Sequence, residues 1–161
     1  LITSRDCPSL NGVYKLVAVR QDGDWLPRIK ISSNVEKATD PGRKHLVRYE
    51  DADGHPCGDM IYLSSETPAE TGLVAGRHRI HPHIAVRLAD ARRGIELFET
   101  VFEDGRRTMQ APPIQAIRAH TLEQIERLPD EFKRLRNPEV YRVLLSEGVG
   151  QLKEAMLEKP A

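Results

Sequence analysis

Apolar and polar positions change their rhythm about two thirds of the way along the chain. Through the first part, short apolar runs are joined by Asp-Gly turns, the chemistry that supplies positive φ between paired strands. VYKLVAVR (13–20) is predicted to pair with WLPRIKI (25–31) across Gln21-Asp22-Gly23-Asp24. HLVRYE (45–50) is predicted to meet DMIYL (59–63) across DADGHPCG, and IELFETVF (95–102) to meet RRTMQ across Glu103-Asp104-Gly105. A further strand is expected in HIAVRL (83–88), with Ile84, Val86 and Leu88 on one face. SSETPAETG (64–72) is polar and reads as a surface loop.

After Pro112-Pro113, a favourable helix start, Ile114, Ile117, Thr121, Ile125 and Leu128 recur at helical steps until Pro129. DEFKRL predicts a short helix that ends before Asn137-Pro138. The last helix is expected from Ser146 as N-cap through Val149, Leu152 and Met156. The pattern therefore predicts an α+β fold: mainly antiparallel hairpins over 1–110, then two or three helices over 112–159, in one region spanning 1–161.

Length and composition narrow the class without choosing the chemistry. The 161 residues suffice for one core, with 39% hydrophobic and only 5% aromatic residues. No apolar run approaches the ~18 residues of a membrane span, so a soluble, cytoplasmic protein is expected. Cys7 and Cys57 stand far apart without zinc-ligand spacing, and read as ordinary small residues. The chain opens on Leu1 rather than Met, with an apolar LIT suited to the middle of a strand, and is expected to continue a longer protein.

Charge is balanced overall, 24 basic side chains against 24 acidic, yet from Arg28 to Arg48 six basic residues face two acids. In that stretch Asp40-Pro41-Gly42 is followed by Arg43-Lys44, and a Pro-Gly turn flanked by cations suits phosphate. Lys15 is the one charge in VYKLVAV, a run apolar on both faces. An ammonium there must reach water, shift its pKa or meet an anion, because burying it unpaired costs several kcal/mol. Lys30, alternating with Arg28 opposite Ile29 and Ile31, is placed to converge with Lys15 if the two strands pair. His78, His81 and His83 cluster, but no carboxylate or cysteine accompanies them, and a metal site is not expected. Glu96, Glu99 and Glu103 read as the solvated side of a hairpin, and no self-contained catalytic constellation is visible.

The order of these motifs resembles the C-terminal portion of the nicotinate phosphoribosyltransferases. GVYKLV, RIKIS, EKATDPGRKHLVR and EFKRLRNPEVYRV follow one another as in that family, with SRDCPSLNGVYKL, IHP and LFETVFEDGRR colinear between them. Two departures are Val140-Tyr141, where the family commonly has His-Tyr after Asn-Pro, and Pro129, which breaks a helix more continuous in some relatives. The resemblance implies the last third of an α/β-barrel enzyme, a ligase and glycosyltransferase of NAD biosynthesis. Such an enzyme joins nicotinate to phosphoribosyl pyrophosphate with ATP hydrolysis, giving nicotinate mononucleotide. The family's glycine-rich phosphate loop and phosphorylated histidine would lie upstream, so no catalytic residue is assigned in this chain. Resemblance to nicotinamide phosphoribosyltransferase further implies that the region from Arg5 through Lys15 to Lys30 lines the phosphate end of the active site. Arg43 and Lys44 would steer the ligand or shape the loop. Magnesium is implied by the polyphosphate substrates, with no ligand for it identified here and no metal held by this segment. An upstream barrel domain and a dimer or larger homo-oligomer are the implied partners, with no nucleic acid and no membrane.

A rival reading is a stand-alone β-rich module that binds RNA or another polyanion through the basic loop. Its weakness is the shortage of stacking aromatics, since only Trp25 and Tyr49 lie near the loop. A third reading, an interaction segment whose amphipathic helices dock on a larger body, is compatible with the first.

Overall fold

The computed structural model describes residues 14–32, 38–69, 72, 74–81 and 83–158. Its centre is a six-stranded sheet. The strands are β3 (Lys44–Glu50), β4 (Pro56–Leu63), β5 (Val74–His78), β6 (Ala85–Leu88), β7 (Arg93–Glu96) and β10 (Val143–Leu145), in spatial order β6-β5-β10-β4-β3-β7. The β3–β4 hairpin forms as the Asp-Gly pattern predicts, with Val47 opposite Met60 and a register shift at Tyr49/Glu50. In the connecting turn Asp51 Oδ1 accepts from the amides of Asp53 and His55, and Gly54 takes φ 82°.

Two strands were not legible as such. β10 lies inside the segment expected to be helical and enters the middle of the sheet, parallel to β4 and antiparallel to β5. β5 passes β10 closely: a Cβ on Gly76 would stand 2.7 Å from the Leu145 carbonyl oxygen and 2.6 Å from Met60 Cε. Only a glycine fits there. His78 closes β5, and His81 and His83 follow in the turn toward β6, so the three clustered histidines do not share one strand. The His78 and His81 rings stack 5.3 Å apart, and His78 Nδ1 accepts from the amides of Ile80 and His81.

The run expected as one strand over 95–102 divides. β7 ends at Glu96 on the edge of the sheet beside β3, while β8 (Phe102–Glu103) pairs with β9 (Arg106–Arg107) as a separate ribbon. Glu96 is not merely solvated: its carboxylate takes the His45 ring and the amides of Leu46 and Phe98. Asp104 and Gly105 adopt positive φ in the β8–β9 turn, as Asp22 and Gly23 do between β1 (Ala18–Gln21) and β2 (Asp24–Pro27).

The core lies on the sheet, where Val47, Tyr49, Met60, Tyr62, Val74, Leu88 and Leu144 form one buried cluster. The Tyr49 and Tyr62 hydroxyls bond each other at 2.8 Å, which satisfies both in an apolar setting. Against the sheet packs α3 (Glu147–Glu158), begun as predicted by Ser146, whose Oγ accepts from the Val149 amide. α1 (Ile114–Glu126) starts after Pro113 and α2 (Asp130–Lys133) after Pro129, as the prolines predict. α1 buries no residue, and Ile114, Ile117 and Ile125 on its expected apolar face are exposed. No described helix is long and apolar enough to cross a membrane.

Candidate functional site

Of the basic residues singled out above, Arg43 and Lys44 stand where β3 begins, and the Lys30 backbone is tied to the segment just before them. The β1–β2 hairpin forms, but it is shorter than its apolar run: pairing stops at Ala18 and Pro27. A bond from the Arg28 amide to the Val17 carbonyl, 2.8 Å, carries the register one step further. Lys15 and Lys30 lie beyond the last paired residues of the hairpin. Both residues are exposed and precede or follow the paired strands, so Lys15 stands at a strand end, where its ammonium can reach water, rather than within the paired part of its apolar run. Arg5 and Lys37 lie outside the described residues.

Behind these cations the segment 38–42 is buried throughout. It is tied to the hairpin at two places. The Gly42 amide donates to Val17 O at 2.8 Å, and the Lys30 amide donates to Thr39 Oγ1 at 2.7 Å. Gly42 has φ 85°, and a Cβ there would meet Leu63 Cδ2 at 2.9 Å and Leu152 Cδ2 at 3.1 Å. Conformation and space both require glycine in the turn.

Asp40 is the charged centre of this segment. Its Oδ1 accepts from Lys153 Nζ of α3 and its Oδ2 from Arg79 Nε just after β5, each at 2.7 Å. Burial alone would raise the Asp40 pKa, but the hydrogen bonds and charges of Lys153 and Arg79 outweigh it and hold the carboxyl below the ordinary aspartate value. Lys44 Nζ donates to the carbonyls of Asp40 and Gly42, 2.6 Å each, so its ammonium closes the turn from the other side. Burial pushes the Lys44 pKa down, opposed in part by the Asp40 charge.

Arg43, between these anchored residues, is exposed and lays its guanidinium 5.1 Å from the centre of the Trp25 ring. Two open clefts of about 480 and 470 Å³ meet at this pair. One is floored by Pro27, Leu63 and Leu152, the other by Val17, Leu46, Ile61 and Phe98. The arrangement is an apolar floor with a cationic rim and a fixed backbone turn, suited to holding an anion.

The partners that fix this rim escaped the sequence reading. Lys153 and Arg79 lie 113 and 39 residues from Asp40, and no periodicity links them. Glu66 was likewise missed. It accepts from the Leu63 amide at 2.7 Å and from Ser146 Oγ at 2.6 Å, joining the end of β4 to the start of α3. Asp59 takes both nitrogens of the Arg48 fork at 2.9 and 3.0 Å and the Tyr141 hydroxyl at 2.9 Å. Tyr49, one of the two aromatics near the loop, is fully buried and bonded to Tyr62, so it offers no face for a stacked base.

Comparison with known proteins bears on what this rim holds. Residues 43–153 match the family described as "Nicotinate phosphoribosyltransferase C-terminal domain". The nicotinate phosphoribosyltransferase of Bacillus subtilis (strain 168) is 38% identical over 148 residues, covering 91% of this chain and 30% of the relative. That of Homo sapiens is 35% identical over 149 residues, covering 91% of this chain and 26% of the relative. Among solved structures, human nicotinic acid phosphoribosyltransferase is similar with a TM-score of 0.62 at 28% identity, over 73% of this chain and 23% of that one. The chain thus spans less than a third of the length of these relatives.

Proposed function

Because the chain belongs to the nicotinate phosphoribosyltransferase C-terminal domain family, we propose that it is the C-terminal part of an enzyme that makes nicotinate mononucleotide for NAD biosynthesis. The enzyme joins nicotinate to phosphoribosyl pyrophosphate, releases pyrophosphate and couples the step to ATP hydrolysis. An upstream α/β barrel carries the bond-making residues, and this chain supplies charge to the phosphates. Lys15 and Lys30 hold phosphate oxygens, Arg5 joins them, Arg43 steers the ligand and Lys44 shapes the turn. Cations that hold the phosphates of substrate and transition state alike add uniform binding, so their loss is read in KM.

The observation that carries this reading is the Arg43-Lys44 turn set on the buried segment 38–42, to which the backbones of Lys30 and Val17 are tied. Magnesium does not fit the described residues of this rim, because the carboxylate at its centre, Asp40, is already engaged by Lys153 and Arg79. The one described group of three metal-capable side chains, Asp51, Asp53 and His55, lies beyond the opposite end of β3. The exposed face of α1 and the clefts beside Trp25 support docking against the rest of a larger enzyme, for which the reading adds a cytoplasmic homo-oligomer.

Two experiments test the reading. In the intact protein, Lys15→Ala or Lys30→Ala is expected to raise KM for phosphoribosyl pyrophosphate or ATP by about tenfold or more, since a charge-assisted hydrogen bond contributes about 1.5–3 kcal/mol. KM for nicotinate should stay as it is; unchanged kinetics in both variants would remove these lysines from the site. The isolated 161-residue chain, assayed with all three substrates, should form no nicotinate mononucleotide. Turnover by the purified chain would overthrow the assignment of bond-making to upstream residues.

A further inference from the structure

The Asp40 network holds more cationic charge than its packing requires. One carboxylate meets Lys153, Arg79 and, through its carbonyl, Lys44, so three cations surround a single acid. Replacing a buried ion pair by well-packed apolar side chains is often neutral or stabilising, so stability alone does not account for the arrangement. What the network does is geometric. It fixes Asp40; the residue before it, Thr39, holds the Lys30 backbone, and Gly42, two residues on, is fastened to Val17. α3 supports the same turn twice, through Lys153 on the carboxylate and Leu152 beneath Gly42.

We propose that Asp40 is a positioning residue for polyphosphate binding: pinned by Lys153 and Arg79, it sets the spacing between the cations of the hairpin, Lys15 and Lys30, and those of the turn, Arg43 and Lys44. The inference rests on the phosphate reading of those four cations. The unneutralised charge of the network adds to the positive field behind them. α3 thereby acts on the site through the turn it supports. Misplacing a preorganised donor by about 1 Å costs up to about a hundredfold in favourable cases, even when the altered residue is remote.

The test is steady-state kinetics and thermal unfolding of the intact protein carrying Lys153→Met, Lys153→Arg, Asp40→Glu or Lys30→Ala. Lys153→Met is expected to raise KM for phosphoribosyl pyrophosphate about tenfold while kcat and KM for nicotinate stay within about twofold, the signature of lost uniform binding. Lys153→Arg, which keeps the charge, should return KM to within about threefold of the parent. Asp40→Glu keeps the charge and shifts the carboxylate by one methylene. It should raise the same KM several-fold, and it decides the matter if Lys153→Met fails to fold. A lower Tm with KM for phosphoribosyl pyrophosphate unchanged in Lys153→Met, or unchanged KM in Asp40→Glu where Lys153→Met is lost, overturns the proposal. Lys30→Ala separates the two readings. If it alone raises KM, the phosphate site stands and the positioning role falls; if Lys153→Met alone raises KM, the positioning role stands and the Lys30 contact falls. If neither does, both fall.

Discussion

Leu144→Ala is expected to destabilise the sheet by about 2–5 kcal/mol, the range for emptying a buried leucine site. Leu144 is fully buried at the centre of β10, opposite Met60 on one side and His78 on the other. β10 has three residues, yet among the described strands it alone links the β6–β5 pair to the β4–β3–β7 side of the sheet. The cavity would therefore open at the junction of the sheet's two halves, where Met60, Leu88 and Val74 cannot close it without breaking register. Hydrogen exchange in the intact protein reads this directly, because protection of the β4 and β5 amides should fall by about 30-fold or more for a loss of about 2 kcal/mol. Leu135→Ala is the contrast. Leu135 is fully exposed in this chain, and its truncation should leave the same amides within about 0.5 kcal/mol. A loss below about 1 kcal/mol at Leu144 would mean that β10 is not the element that joins the sheet.

The same strand shows where sequence pattern stops being informative. A central strand buried on both faces lacks alternation, and three residues between Arg142 and the Ser146 cap carry no period at all. β5 is hidden for a related reason, since Gly76 weakens its β signal while being required by the close approach to Leu145. Turn chemistry, by contrast, is local: DADG marks the β3–β4 hairpin, and Asp22-Gly23 and Asp104-Gly105 mark two more because few residues adopt their positive φ. Ser146 marked α3 through its own hydroxyl. α1 was legible as a helix from Ile114, Ile117 and Ile125, but a period says which face is apolar and nothing about what covers it. The candidate site divides in the same way. Its cations could be listed from the basic stretch, whereas the acid that orders them could not, because Asp40 reads as a turn residue until Arg79 and Lys153 arrive from distant elements.

Asp40→Ala should be the most damaging single change at this site, at about 3–5 kcal/mol, the usual result of removing one partner from a buried pair. The two cations do not suffer equally. Arg79 is 41% exposed and can turn to water, but Lys153 is 10% exposed and would lose the carboxylate it is buried against. The acid limb of stability follows from the same carboxylate. Its folded pKa lies below the unfolded value, so its contribution is fully present above the ordinary aspartate range and is lost as pH falls through the lower, folded pKa. Protonation there leaves Lys153 and Arg79 facing a neutral acid, which is the Ala substitution reached by titration. Hydrogen exchange of α3 amides in the intact protein, measured from neutral pH downward, should therefore show α3 loosening in acid in the parent. In Asp40→Ala, α3 should be loosened already at neutral pH and should respond less to acid. Equal acid sensitivity in parent and variant would assign that limb to other carboxylates.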